Sequence, residues 1–149
     1  MKKLIAIFTL FFTLNTLHAA ELSCGISPIP ENIIEYGCGC NYHNNQSSTL
    51  SLLFQSEIDA SNPRMFIEGE LVKLTSSAEG GMPEMPKIGD KFKQTFSYKD
   101  KTIIFDNVIN FVCPPESEGC EIISYDSSIT INGEQCHDEL TGYNGDCGC

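Results

Sequence analysis

The residues best suited to chemistry in this sequence are its eight cysteines, four of which form two Cys-Gly-Cys tripeptides at 38–40 and 147–149. Side chains two residues apart in an extended strand lie on the same face, about 7 Å apart, so each tripeptide offers two neighbouring thiols. Three uses of such thiols are structural disulfides, thiol–disulfide exchange and coordination of zinc or copper. The compartment of the protein decides among these uses.

The amino terminus predicts export. Two lysines follow the initiating methionine, residues 4–14 are apolar or Thr, and small residues close the segment. This order is typical of a secretory signal peptide, so we expect residues 1–19 to be removed and 20–149 to form one domain. The apolar run is too short to cross about 30 Å of hydrocarbon. A lipid-anchored form would use Cys24, but Glu21 stands where that signal has an apolar residue. A periplasmic or secreted protein is predicted.

An even number of cysteines in an exported chain predicts disulfides. Eight cysteines allow 105 pairings, so a geometric argument is needed. If the two tripeptides lie antiparallel, Cys38 faces Cys149 and Cys40 faces Cys147. Both pairs could then meet the Cα separation of about 5.5 Å that disulfides favour. Such bridges would join the last residues of the sequence to an early strand.

The other four cysteines suggest two further bridges. Cys113 and Cys120 enclose the short acidic sequence "PPESEG", which a local bridge would close. Cys24 and Cys136 remain, and a bridge between them would anchor the N-terminal arm.

Two other uses of the tripeptides stay open. A Cys-x-Cys dithiol can exchange with partner disulfides, although the sequence has no thioredoxin-like βαβ pattern. Thiolates and a nearby imidazole could instead bind zinc or Cu(I). The residues of that alternative metal site are Cys38, Cys40, His43, Cys147 and Cys149.

Charge limits the partners. The full chain has a formal net charge of −11, and loss of Lys2 and Lys3 with the signal peptide lowers it to −13. Every remaining basic residue lies between Arg64 and Lys101, and the sequence from Thr102 onward has no Lys or Arg. Nucleic acid and anionic membrane surfaces would be repelled, whereas a basic protein would be attracted. Acidity also serves simply to keep an exported protein soluble.

Catalytic signatures are absent from the sequence. There is no Gly-x-Ser-x-Gly, no His-Glu-x-x-His and no phosphate-binding Gly-rich loop. Only His43 and His137 remain after signal removal. We therefore expect a non-enzymatic protein without a cofactor.

The residue pattern predicts β-structure throughout the mature chain. Strands are expected at 49–55, in two parts around Glu68-Gly69 within 64–75, and at 91–98, 101–112, 121–125 and 127–132. A break in the alternation near Asp106-Asn107 predicts a bulge, and Asn132-Gly133 predicts a tight turn. The fold class is all-β: a small, disulfide-stabilised antiparallel sandwich or barrel.

The longest irregular segment is loop 76–89, "SSAEGGMPEMPKIG", which has two Pro and three Gly. Loops of this length are often functional. Met82 and Met85 are soft thioethers at a spacing seen in copper-handling segments, although a methionine in a loop more often has no such role.

Several runs together resemble a family of small exported bacterial domains with Cys-Gly-Cys at both ends. They are "GCGCNYH", "RMFIEGELVKL", "IGDKF", the Cys113/Cys120 pair, "SSITI" and "GDCGC". The resemblance implies a cystine-rich β-domain and supplies no activity; Cys24 and Cys136 are additions to its pattern. The Cys-x-Cys element is also similar to the start of netrin-like inhibitor domains, although here it lies inside the mature chain.

These observations favour a domain that binds a basic protein partner, in the manner of an inhibitor or immunity protein. The acidic C-terminal half and loop 76–89 are the expected contact regions. The alternatives are thiol or metal handling through the tripeptides, and a structural role in the cell envelope.

Overall fold

The computed structural model describes residues 24–44, 51–77 and 80–149; the predicted signal peptide lies outside them. The described chain contains ten β-strands and one 3-10 turn, Glu31–Ile33. The strands are β1 Ile26–Ser27, β2 Gly39–Asn44, β3 Ser51–Ser56, β4 Arg64–Ile67, β5 Glu70–Lys73, β6 Thr75–Ser76, β7 Lys91–Tyr98, β8 Lys101–Val112, β9 Ile122–Asn132 and β10 His137–Gly148. Within these residues, no helix has the length and apolar character needed to cross a bilayer.

All strand pairs are antiparallel and belong to one sheet, with the order β1-β4-β3-β2-β10-β9-β8-β7-β6 and with β5 paired to β4. The sheet curls into a half-barrel. The predicted all-β, disulfide-stabilised fold class is confirmed. Strands β8, β9 and β10 form a long meander that makes the rigid wall of the half-barrel.

One piece of chain joins the two margins of the sheet. Residues 70–73 pair with β4, and residues 75–76, immediately after, pair with β7. The Ser77 amide continues this second pairing by donating to the Thr95 carbonyl at 2.8 Å. The curled sheet therefore has little free edge here, which protects it from pairing with other chains.

Aromatic side chains fill the concave face. The ring of Tyr42 lies 4.2 Å from that of Phe105 and 5.3 Å from that of Tyr125, centroid to centroid. Phe54 and Phe92 contact the same group of rings. Rings at these separations and tilted angles contribute stability beyond the area that they bury. These rings form a continuous aromatic layer in a core that also includes aliphatic side chains of β1, β4, β8 and β9.

The hairpin predicted around Glu68-Gly69 is confirmed. Both residues have positive φ, 54° and 81°, as the tight turns that match the twist of β-hairpins require. The strands expected at 91–98 and 101–112 are also confirmed, and Asn132 ends β9 where the predicted turn begins. The start of the strand expected at 49–55 lies outside the described residues.

Two expectations about the strands are wrong. The bulge predicted near Asp106-Asn107 lies instead between Ile109 and Phe111, where the pairing of β8 with β9 shifts. Asn107 does not break the alternation, because it points inward as a buried polar residue, 2% exposed. The strands expected at 121–125 and 127–132 are one continuous strand, β9, since Asp126 simply faces outward.

Candidate binding site at one end of the half-barrel

All eight cysteines are in disulfides: Cys24–Cys136, Cys38–Cys149, Cys40–Cys147 and Cys113–Cys120. These are the pairs expected from antiparallel tripeptides and from the remaining cysteines. The register of β2 against β10 places Cys40 opposite Cys147 and Gly39 opposite Gly148. The coarser expectation, a small cystine-rich β-domain, is confirmed.

The two tripeptide bridges lie in different surroundings. Cys40 and Cys147 belong to the core, at 4% and 8% exposure, whereas Cys38 and Cys149 are exposed. Gly39 faces away from the bridges, where a Cβ would come within 2.4 Å of the Ser56 carbonyl oxygen on β3. The glycine of this tripeptide is therefore required by the close approach of the neighbouring strand.

The structure does not bring together the alternative metal site. The four cysteines of that set are in disulfides, and His43 lies on the convex face, opposite the inward-pointing Tyr42. His43 Nε2 contacts the carboxylate of Asp146. The described part of the chain holds no cluster of three or more His, Cys, Asp or Glu that fits a metal ion.

A cavity of about 400 Å³ opens at one end of the half-barrel. At this end β2 and β9 begin and β3, β6 and β10 finish; we call it the tail end, because the last residues of the sequence lie there. The lining of the cavity is mainly apolar and includes the Cys40–Cys147 disulfide, Met82 and Ile123. The acidic residues Asp59 and Glu121 also line the cavity.

A buried polar network lies beneath the cavity. Tyr42 Oη is 2.6 Å from Gln94 Oε1, which lines the cavity, and 3.2 Å from Asn107 Oδ1, and its single proton serves one acceptor at a time. Ser127 Oγ donates to the same Asn107 oxygen at 2.6 Å. Tyr125 Oη is 3.3 Å from Cys147 Sγ. Burial raises the pKa of both tyrosine hydroxyls, so they stay protonated at physiological pH.

An acidic loop, residues 113–120, borders the tail end and is closed by Cys113–Cys120. The Ile122 amide donates to Cys113 Sγ at 3.1 Å, which ties the loop to the first residue of β9. Glu116, Glu118 and Glu121 are exposed, and no ion pair joins them to a cation in the described chain. The tail end therefore carries uncompensated negative charge.

The basic residues contribute little positive charge to this end, because most are paired elsewhere. Lys93 contacts Asp106 at 3.1 Å, and Arg64 donates to Glu35 at 2.9 Å. Lys99 and Lys101 contact Glu68 at 3.3 and 2.9 Å. These pairs leave the carboxylates of the tail end unneutralised.

The opposite end holds a second hollow, of about 390 Å³, whose lining is mainly polar and charged. The turns after β4, β7 and β9 meet there, and Cys24–Cys136 fastens the N-terminal arm to them. The nearly buried Lys101 pairs with Glu68, and the Asp100 carboxylate accepts the Glu134 amide at 3.1 Å. Hydrogen bonds from two lysines lower the pKa of Glu68. These polar groups satisfy one another.

A third hollow, about 550 Å³, lies on the convex face beneath the N-terminal arm. Gln55 in its lining accepts the Glu35 amide of the arm at 3.2 Å, and Arg64, which contacts Gln55, donates to the Glu35 carboxylate at 2.9 Å. Ile29 packs into the sheet beside it, and its amide donates to the Leu52 carbonyl at 2.7 Å. The hollow is therefore bounded by the arm on one side and by β2 and β3 on the other.

Comparisons with protein-family models, curated protein sequences and solved structures found no match. The family resemblance seen in the sequence therefore stays a prediction, and the site must be interpreted from its own geometry.

Sequence reasoning identified part of this site. Loop 76–89 reaches the cavity through Met82, which is half-buried, but Met85 is 80% exposed and does not line it. The two methionines thus do not act as a pair. Asp59, Gln94 and Ile123 were missed, because they come from three distant segments and no local motif connects them.

Proposed function

We propose that the mature protein is a non-enzymatic, exported binding module that holds a basic protein partner at its tail end, as an inhibitor or immunity protein would. The observation that carries this proposal is the coincidence of an open cavity with uncompensated carboxylates on a covalently fixed frame. A preformed site loses little conformational entropy on binding. Net negative charge steers a cationic protein toward it.

Export is supported by four disulfides, which form and persist in oxidising compartments. The absence of free thiols fits a static scaffold better than a thiol reagent. The acidic loop extends the contact area beyond the cavity, and its bridge holds the carboxylates of Glu116 and Glu118 close to Glu121, which immediately precedes β9.

The test is affinity capture from envelope extracts at low and high salt, with the disulfide-intact protein as bait. A triple variant, E116Q/E118Q/E121Q, removes three charges at the tail end. A matched control, E31Q/E70Q/E134Q, removes three exposed charges elsewhere. We expect a basic protein that is captured at low salt, released at high salt, lost with the triple variant and retained by the control. Capture of no salt-sensitive protein, or equal loss with both variants, would overturn the proposal.

A second candidate function is thiol–disulfide exchange at Cys40–Cys147, and one contact favours it. An external protein thiolate attacking Cys40 Sγ would form a mixed disulfide and release Cys147 as a thiolate. Tyr125 Oη, at 3.3 Å, is placed to donate a hydrogen bond to that thiolate. Alkylation and intact mass of freshly isolated native protein test this: a population with Cys40 or Cys147 alkylated supports exchange, and complete closure contradicts it.

A further inference from the structure

The chemistry of the cavity identifies the kind of residue that it accepts. Its volume, about 400 Å³, is within the range of about 300–1,000 Å³ found for ligand pockets. The lining is mainly apolar and includes the disulfide Cys40–Cys147, Met82 and Ile123. Methionine adapts its shape to different neighbours, and a disulfide presents an apolar, polarisable surface. An uncharged, aliphatic group fits this lining.

The polar groups exclude a charged group from the interior. Gln94 Oε1, one of the polar atoms of the lining, lies 2.6 Å from Tyr42 Oη and shares that hydroxyl proton with Asn107. A cation placed beside it would be desolvated without a carboxylate partner, which is costly. The two carboxylates that reach the cavity, Asp59 and Glu121, are both exposed and come from the ends of different elements, after β3 and before β9.

Resting on the proposed function, we infer that the tail-end cavity receives one aliphatic side chain of the partner, flanked along the partner segment by Lys or Arg. The aliphatic group packs on the disulfide and Met82. The flanking cations meet Asp59 and Glu121 at the mouth, where both partners keep part of their hydration. This arrangement combines a central apolar anchor with a polar, charged rim, as in other protein interfaces.

Three blocked tripeptides test the inference by titration of the ¹⁵N-labelled, disulfide-intact protein: Ac-Lys-Leu-Lys-NH₂, Ac-Lys-Ser-Lys-NH₂ and Ac-Glu-Leu-Glu-NH₂. We expect the first to shift the amides of Gln94, Thr95 and Ile123 and to bind at least about fivefold more tightly than the second. The third should cause no shift. Equal binding of the leucine and serine peptides would overturn the inference, since it would mean attraction to negative charge alone. Shifts confined to other residues would do the same.

Variants locate the site. S76F fills the cavity from β6 and should abolish binding of the leucine peptide, and D59N/E121Q should weaken it about threefold or more. The control E134Q, at the opposite end, should leave it unchanged. If S76F does not fold, M82A substitutes for it: the enlarged cavity should favour Ac-Lys-Phe-Lys-NH₂ over the leucine peptide. No change of preference would contradict the inference.

The same variants separate this inference from the proposed function. A partner captured from extracts that binds S76F and D59N/E121Q normally would disprove the cavity as its anchor site and leave the proposed function standing. A leucine peptide that binds in the cavity while extracts yield no basic partner would contradict the proposed function.

Discussion

Removing the two tripeptide disulfides separately and together should show strong coupling. Cys38–Cys149 and Cys40–Cys147 join β2 to β10 in neighbouring rows, so either bridge alone keeps the two strands together. The second bridge then constrains the unfolded chain less than the first. The variants are C38A/C149A, C40A/C147A and the quadruple combination.

The magnitude follows from the loops that each bridge closes in the unfolded chain. While one tripeptide bridge remains, the other closes a loop of about five residues, worth about 2 kcal/mol in the chain-entropy model. When both are absent, the ends are still connected through Cys24–Cys136. That path runs 14 residues from Cys38 back to Cys24 and 13 residues from Cys136 on to Cys149. Closing about 27 residues is worth about 3.5 kcal/mol.

Losing the second bridge should therefore cost about 1.5 kcal/mol more than losing the first. Truncating Cys40 and Cys147 also removes core packing, but that loss occurs in both the pairwise and the quadruple variants and cancels in the mutant cycle. Urea unfolding without reductant, followed by circular dichroism, gives the free energies, and intact mass confirms the remaining bridges. Combining C40A/C147A with C113A/C120A should be additive, because Cys113–Cys120 closes its own short loop and not the one that the tripeptide bridges share. Additive costs for the two tripeptide bridges as well would refute the shared-loop reasoning.

Two further predictions concern a core glycine and an ion pair. A Cβ at Gly145 would lie 1.7 Å from Cε2 of Tyr125, so G145A should lower the free energy of unfolding in urea by about 1–3 kcal/mol. The control T141A, on the same strand, should change it little. An unchanged stability of G145A would show that the ring moves freely. Hydrogen bonds from Lys101 and Lys99 lower the pKa of Glu68 below its usual value of 4.5. The ionised carboxylate therefore stabilises the fold at pH values above 4.5, and this stabilisation is lost as the pH falls through the lowered pKa. E68Q should therefore be less stable than the parent at pH 7 and equal to it near about pH 2, with E70Q as the control; a difference that persists in acid would contradict this.

The fold class and several hairpins could be predicted because their signals are local. Phe92 and Phe96 alternate with exposed lysine and serine along β7, and both are buried as the pattern indicates. Glu68-Gly69 marks a turn through the backbone freedom of glycine. Each of these features depends on a few neighbouring residues, so no long-range information is needed.

Strand β10 was not expected as a whole, because its sequence opposes strand propensity. It includes three glycines, Gly142, Gly145 and Gly148, together with Asn144 and Asp146. Tertiary contacts override that propensity: the ring of Tyr125 occupies the space over Gly145, and pairing with β2 and β9 on both sides fixes the strand. The bulge predicted near Asn107 was wrong for the same reason, because the hydrogen-bond partners of this buried residue, Tyr42 and Ser127, come together only in the folded interior.

The cavity links the stability of this protein to its proposed binding function. The Cys40–Cys147 bridge that holds β10 against β2 also forms part of the cavity surface, so the same bond stabilises the fold and shapes the site. Cys38–Cys149 is exposed and lies nearer the chain terminus; it also holds β10 against β2, but it does not line the cavity. Because there are two neighbouring bridges, their effects on stability and on binding can be separated by mutation. Loss of the outer pair should lower stability and spare peptide binding, whereas loss of the inner pair should lower both.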